Sequence, residues 1–463
     1  MATLAETQKN TEGRKRGYVA LFPSTGMGHL TTFLHLARIL AANHGFSVTF
    51  ITTRANVCPS KTAHIDDIAS SGFDIRVVQL EIRSSLSETT RNESQDPIFA
   101  QWDALCRSMD ALEHLLLTDL LSSSASRPPI SAIITDPMLT TTLQVTAKFS
   151  IPNHILYTAS ALSLDFFLYA PILDSQGCDF SDEELILNIP VFPPLPTSQI
   201  AQGLKRKGSA FYKHFISNGS NALKASGILV NTFYDLEDPF LDALRSGQVM
   251  EGLPPGYPIG PLFLPSMSMM HSNSLKLLSS PDDEHDTAKR CLQWLDLQLA
   301  RSVVFVSFGS RSAMSVSQIT ELASGLERSG QRFLWVLRIA VMGNEGFDPS
   351  TVLPLGFESR MGGRGMVVTS WVPQVGILSH RAVGAFVSHC GWNSVVESVG
   401  CGVPIVAWPL FADQMKNARF VAENAKVGVE VKMAESYRNA LPAPFLPFFY
   451  FSFRSTIKIR SIV

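Results

Sequence analysis

Two stretches of the chain hold residue types whose spacing could do chemistry. The first is Ser24-Thr25-Gly26-Met27-Gly28-His29, set between an apolar run and an amphipathic one. Two glycines let the backbone approach a ligand closely, and a histidine at a helix start can serve as a general base near neutral pH. A dinucleotide fingerprint of the G-x-G-x-x-G type is not completed, because Thr31 stands where the third glycine would be. That substitution disfavours a nicotinamide-dependent oxidoreductase. The second stretch runs from Trp371 to Gln414, WVPQVGILSHRAVGAFVSHCGWNSVVESVGCGVPIVAWPLFADQ. Within it, Val383–Ser388 reads as a buried strand that turns at His389-Cys390-Gly391-Trp392-Asn393-Ser394 into a helix. Free N–H groups at that helix start, with the Asn393 and Ser394 side chains, form a cradle for phosphate, and His389 can donate to the same anion. Glu397, one turn further in, can accept from two neighbouring hydroxyls, as on a ribose. Trp371 offers a flat face for a base, and Asp413-Gln414 offer polar atoms for a sugar. The competing reading, a buried strand–helix–strand unit with incidental polar residues, suits any one of these residues but not the constellation.

The elements that must position these residues alternate. Strands are expected at Tyr18–Phe22, Val48–Ile51, Ile75–Val78, Ala132–Ile134, Ile155–Tyr157 and Ile228–Val230, with a long amphipathic helix around Asp103–Leu121. A Pro/Gly-rich segment, Gly252 to Pro265, and a polar run to Asp286 read as linker and surface loop. A second alternation follows: strand Val303–Phe308, helix Val316–Arg328, strands Phe333–Leu337, Met366–Val368 and Ala385–Ser388, helix Ser394–Gly400, strand Pro404–Ala407 and helix Asp413–Glu423. The fold class expected is α/β, with two Rossmann-like domains facing across a cleft and ligands beyond the carboxyl ends of the strands.

Composition narrows the partners. The chain has 463 residues, 45% hydrophobic and 17% charged, with a net charge of −2. Such a chain can bury large cores and has no electrostatic case for nucleic acid or an anionic membrane. Six scattered cysteines, none in a C-x-x-C pair, fit reduced thiols rather than disulfides or zinc. No signal-peptide core and no membrane span are expected, so the expected location is the cytoplasm, with a monomer as the working form.

The 44-residue segment from Trp371 to Gln414 resembles, end to end, the sugar-nucleotide box of plant UDP-dependent glycosyltransferases (family 1, GT-B type). The resemblance extends through GMGHL (Gly26–Leu30), HILYTASA (His154–Ala161), SGILVNTF (Ser226–Phe233) and VSFGS (Val306–Ser310), over roughly residues 17 to 430. Softer features, SQDPIF (Ser94–Phe99) and TDPMLTT (Thr135–Thr141), look most like flavonoid C-glucosyltransferases acting on 2-hydroxyflavanones. The resemblance implies that Trp371 stacks on uracil, Val372 offers its backbone to the base, and Gln374 and Glu397 bind ribose. It implies that Ser310, His389, Asn393 and Ser394 hold the diphosphate, and that Thr158, Trp392, Asp413 and Gln414 contact the sugar. A terminal Gln points in the family to glucose. His29 matches the catalytic base, with Asp136 as the residue that would orient it. Asp136 could instead cap the following helix, and in C-glucosylating relatives the orienting Asp is displaced by one position. UDP-glucose is thus expected as a co-substrate and a small phenolic as acceptor, with no cofactor. No metal is expected either, since no Asp-X-Asp pair occurs.

On this reading residues 1–16 are a tail and 17–250 the acceptor-binding domain. Residues 251–300 form the linker, 301–431 the UDP-sugar domain and 432–463 an atypical apolar tail. That tail, ending LPAPFLPFFYFSFRSTIKIRSIV, stands where the family continues with helices, the last crossing back to the N-terminal domain. The expected reaction is inverting glucosyl transfer, C-linked in preference to O-linked. An inactive relative that at most binds UDP-sugar is the reading from a different class.

Overall fold

The computed structural model describes residues 17–53, 59–82, 97–122, 128–263, 282–309, 314–337 and 351–431. Ser310, residues 1–16 and the tail from 432 lie outside the described residues.

The first sheet takes strands β1 (Tyr18–Phe22), β2 (Ser47–Thr53), β3 (Ile75–Leu80), β4 (Ala132–Thr135) and β5 (Asn153–Tyr157). A two-stranded antiparallel pair, β6 (Ile186–Leu187) with β7 (Leu195–Pro196), follows, before β8 (Gly227–Val230) and β9 (Gly256–Pro258). The sheet order is β3-β2-β1-β4-β5-β8-β9, parallel through its β3 to β5 portion. The second sheet comprises β10 (Val303–Ser307), β11 (Arg332–Val336), β12 (Gly365–Val368), β13 (Val383–Ser388), β14 (Ile405–Ala407) and β15 (Gly428–Glu430). Its order is β12-β11-β10-β13-β14-β15, with every pair parallel. Both are Rossmann-like α/β sheets, as the alternation predicts. The strands expected from sequence are present, several a residue or two longer at an end.

The central strands are apolar on both faces, as helices packed on both sides of a parallel sheet require. All of Tyr18–Phe22 is buried, and Phe305 and Phe386 on neighbouring strands stack 5.0 Å apart. Two expectations need amending. The single helix foreseen at Asp103–Leu121 is three pieces: Pro97–Cys106, Met109–Leu115 and a π-helical turn Leu116–Leu120. Ser108 makes the break: its backbone leaves the helical region at φ −108°, ψ 28°, and its buried hydroxyl bonds back to the Ala104 carbonyl. Within the segment read as linker, Gly256–Pro258 adds an edge strand, and helix Asp282–Asp296 places Cys291 and Leu295 in the core of the second sheet.

Compact packing divides the chain into residues 1–156 with 221–228 and residues 157–220 with 229–463. The second unit thus joins helices Ala161–Ser175 and Tyr234–Ser246 to the second sheet. Phe240 on Phe420 and Lys416 over the Phe166 ring, 4.7 Å from its centroid, are among its internal contacts.

Candidate active site

In the first sheet, strand order reverses between β1 and β4, and an open α/β sheet has its crevice at such a point. The loop after β1 ends in Gly26, whose φ of 123° only glycine adopts without strain, and helix Met27–His44 begins there. Asp136 directly follows β4. Its neighbour on β1 is thereby the His29 loop, and Asp136 Oδ2 lies 2.6 Å from His29 Nδ1. The other carboxylate oxygen, Oδ1, accepts from the Met138 N–H at 2.9 Å and caps the short 3₁₀ turn Pro137–Leu139. Each carboxylate oxygen thus has its own partner, Oδ2 the His29 ring and Oδ1 the turn. Asp136 is fully buried while the His29 side chain is 28% exposed, so a ligand can reach the imidazole but not its partner. Trp102 meets the His29 ring edge-on, with centroids 6.4 Å apart.

The same topological rule operates in the second sheet, where the order reverses between β10 and β13. Gly309 follows β10 and His389 follows β13, and the two are in contact: a Cβ added to Gly309 would sit 2.6 Å from His389 Nε2. A Cβ on Gly391 would meet the same atom at 2.6 Å. The ring is thus wedged between two residues without side chains. Burial pushes the imidazole down to about 4, against the opposing pull of Asp413, so it is neutral at physiological pH. Its Nδ1 is buried without a hydrogen-bond partner.

Helix Trp392–Gly400 starts at Gly391, which supplies no side-chain cap. Ser388 braces the turn by accepting from Cys390 N–H at 3.1 Å, and Cys390 itself adopts a φ of 61°. A helix start without a side-chain cap fits an anionic group such as a diphosphate. Gln374 Nε2 donates to Glu397 Oε2 at 2.7 Å and to Ser394 Oγ at 3.0 Å, joining three residues expected in the donor site. Burial raises the Glu397 carboxyl to about 7, with the Gln374 bond opposing the shift. Trp371 is half-buried, whereas the Val372 side chain lies in the core. Only the Val372 backbone is free for the base contact expected of it.

Three expected sugar contacts look different in the structure. The Trp392 indole is buried, donating from Nε1 to the Asn231 carbonyl at 2.7 Å, so only its backbone N–H can serve a sugar. Gln414 commits Oε1 to the N–H groups of Leu410 and Phe411, at 2.9 and 3.0 Å. Thr158 is buried just before Ser160, the cap of helix Ala161–Ser175. Asp413 is half-buried and follows Ala412, whose φ is 58°. Asn393 is held by Asn231 Nδ2 at 3.4 Å.

Sequence reasoning gave no role to Asn231, Glu237 or Asn417. Asn231 lay inside a quoted motif, and Asn417 stands one helical turn after Asp413, a spacing that could have flagged it. Glu237, buried in the kink of helix Tyr234–Ser246, accepts from the Ala161 and Leu162 N–H groups at 2.9 and 3.1 Å. Nothing local in sequence announces that contact. Among the described residues no cluster suited to a metal ion occurs and no helix is long and apolar enough to cross a membrane.

Comparison with known proteins matches residues 18–264 to the family model "Glycosyltransferase, N-terminal domain" and 282–443 to "UDP-glucoronosyl and UDP-glucosyl transferase". The UDP-glycosyltransferase CGT of Oryza sativa subsp. japonica is 39% identical over 418 residues, covering 90% of this chain and 83% of its own. The anthocyanidin 5,3-O-glucosyltransferase of a Rosa hybrid cultivar is 34% identical, covering 90% and 86%. The crystal structure of LpCGTa in complex with UDP superimposes with a TM-score of 0.73 at 36% identity, over 90% of this chain and 85% of that one. The chain is a glycosyltransferase and belongs to the plant UDP-dependent family 1, of GT-B type.

Proposed function

We propose that this enzyme transfers glucose from UDP-glucose to a small phenolic or flavonoid acceptor with inversion at the anomeric carbon. The observation that carries the reading is the 2.6 Å contact between His29 Nδ1 and Asp136 Oδ2. With Nδ1–H donated to the buried carboxylate, Nε2 is the basic nitrogen and is positioned to take the phenolic proton. The phenoxide then attacks the anomeric carbon through oxygen, or through the ring carbon ortho to it. As the glucosyl bond to UDP breaks, negative charge grows on the diphosphate. The uncapped N–H groups of helix Trp392–Gly400 and the His389 ring are the local donors for that charge. In the C-linked case the ring carbon afterwards loses its own proton and aromaticity is restored.

C-glucosylation is the reading we favour. It draws on the SQDPIF and TDPMLTT resemblance and on the relative named CGT at 39% identity. O-glucosylation is the second reading, and the direct Asp136–His29 contact supports it, since the resemblance implies an orienting Asp of this kind for O-glucosylating relatives. Incubation with UDP-glucose and phloretin separates the two. A product that resists acid hydrolysis marks a C-glucoside and a labile one an O-glucoside. No product at all would leave the chain an inactive relative and overturn the proposal.

A further inference from the structure

Asn417 lies in the short helix Gln414–Arg419 and is fully buried. Its Nδ2 donates to the Asp413 carboxylate (Oδ2, 2.9 Å) and to the Cys390 carbonyl (3.0 Å). Its Oδ1 faces the Ser160 hydroxyl at 3.4 Å. Two amide hydrogens thus meet two acceptors and the amide oxygen meets a donor, so one orientation of the side chain satisfies every partner. The three partners share a feature. Asp413 is the carboxylate assigned to the sugar, and Cys390 sits at the positive-φ turn that opens helix Trp392–Gly400. Ser160 comes two residues after Thr158 and caps helix Ala161–Ser175 by accepting from Ser163 N–H at 3.0 Å. Each of these segments carries a residue expected to touch the donor sugar or its diphosphate, and all belong to the second compact unit.

We propose that Asn417 is a positioning residue for the transferred sugar, fixing the Asp413 carboxylate against the Cys390–Gly391 turn and the Ser160 cap. This rests on the donor reading above. A carboxylate on a loop beside Ala412, with its φ of 58°, has several directions open to it. A bond to one oxygen holds it in one direction and leaves the other oxygen for a sugar hydroxyl. The cost of misplacement is borne by turnover rather than by nucleotide affinity, because the uridine and ribose contacts come from other residues, Trp371, Gln374 and Glu397.

The test compares wild type, Asn417→Ala, the isosteric Asn417→Asp, Asp413→Ala and the Asp413→Ala/Asn417→Ala double variant. Each is assayed for kcat/KM with UDP-glucose and phloretin, for UDP affinity by calorimetry, and for Tm. Loss of a hydrogen bond to a charged group predicts a fall in kcat/KM of roughly 10- to 100-fold for both Asn417 variants, with UDP affinity changed less than about threefold. In the Asp413→Ala background the Asn417→Ala step should cost less than about threefold, since a residue acting through another loses its effect when that partner is gone. Full additivity, parallel loss of UDP affinity, or unfolding of both Asn417 variants would assign the residue a structural role and overturn the proposal. Unchanged kcat/KM would overturn it too. Wild type that binds UDP but neither binds nor turns over UDP-glucose would instead overturn the donor reading, and the proposal with it.

Discussion

The Asp136 carboxylate beside Nδ1 favours the tautomer with its proton there, which would leave Nε2 as the basic nitrogen of His29. Asn at this position could present its amide N–H to Nδ1, moving the ring proton to Nε2 and disabling the base. Asp136→Asn should therefore lower kcat by about 10²-fold or more, as loss of an orienting carboxylate does in comparable dyads. UDP affinity should stay unchanged, and a variant with normal turnover would remove Asp136 from the mechanism. Glu397 supports a second prediction. Its carboxyl is raised to about 7, yet ribose hydroxyls are donors and prefer the ionised form. Donor binding should release a proton near neutrality, and affinity should fall with decreasing pH by at most about tenfold per pH unit. Calorimetry in two buffers of different ionisation enthalpy measures the release, which Glu397→Gln should abolish. His29 and Glu397 were legible as chemistry because their spacing from glycines and from a helix start carries a mechanism. Glu237 was not: its partners lie 76 and 75 residues away, and only the folded chain brings them together. Asn417 was legible only in part, since Asp413 is one helical turn away but Cys390 and Ser160 are 27 and 257 residues away.

At the scale of elements, hydrophobic alternation predicts which segments become strands, since burial on both faces leaves an apolar run that local reading detects. Helix continuity is less legible. The break at Ser108 depends on a side-chain bond that competes with the helix, and the Asp413–Glu423 helix likewise becomes Gln414–Arg419 followed by a π-helical turn. Two element starts carry predictions. Gly391 has an ordinary φ of −58°, so Gly391→Ala meets no backbone strain, but its Cβ would press on His389. UDP affinity should drop by about tenfold or more, the size of a disturbed charge-assisted contact, with little change in Tm. Unaltered affinity would show that His389 does not serve the diphosphate. Helix Ala161–Ser175 starts on the buried Glu237, whose carboxyl burial raises to about 7 from an ordinary 4.5. A folded pKa above the unfolded one means the folded state holds a proton the unfolded chain has released. Stability is then fully present below about pH 4.5 and declines as pH rises towards 7. The decline from this group is at most about 1.4 kcal/mol per pH unit. Thermal melts from pH 5 to 7 should show a shallower slope for Glu237→Gln than for wild type, and parallel slopes would exclude the assignment.

For the molecule as a whole, the strand order accounts for where the two candidate histidines sit. Each sheet reverses its order once beside its central strand, at β1/β4 and at β10/β13, and each reversal holds one histidine: His29 in the first compact unit, His389 in the second. Sequence alternation predicts the sheets, whereas strand order emerges only from the pairing itself, so the coincidence of motif and switch point is a structural finding. The two histidines sit in different surroundings. His29 Nδ1 lies against a buried carboxylate, whereas the His389 ring, held neutral by burial, is wedged between glycines. Their separation into different units predicts separable losses. His29→Ala should lower turnover by about 10²–10⁴-fold, the usual contribution of a general base, and leave UDP affinity intact. Glu397→Ala should weaken UDP-glucose binding by about 1.5–3 kcal/mol for each charge-assisted bond lost and leave residual turnover at saturating donor. Because His29 and Glu397 belong to different compact units, the double variant should show the sum of the two effects in kcat/KM, within about 0.5 kcal/mol. A departure much larger than that would mean that base and donor site are energetically coupled, and that neither can be assigned to one unit alone.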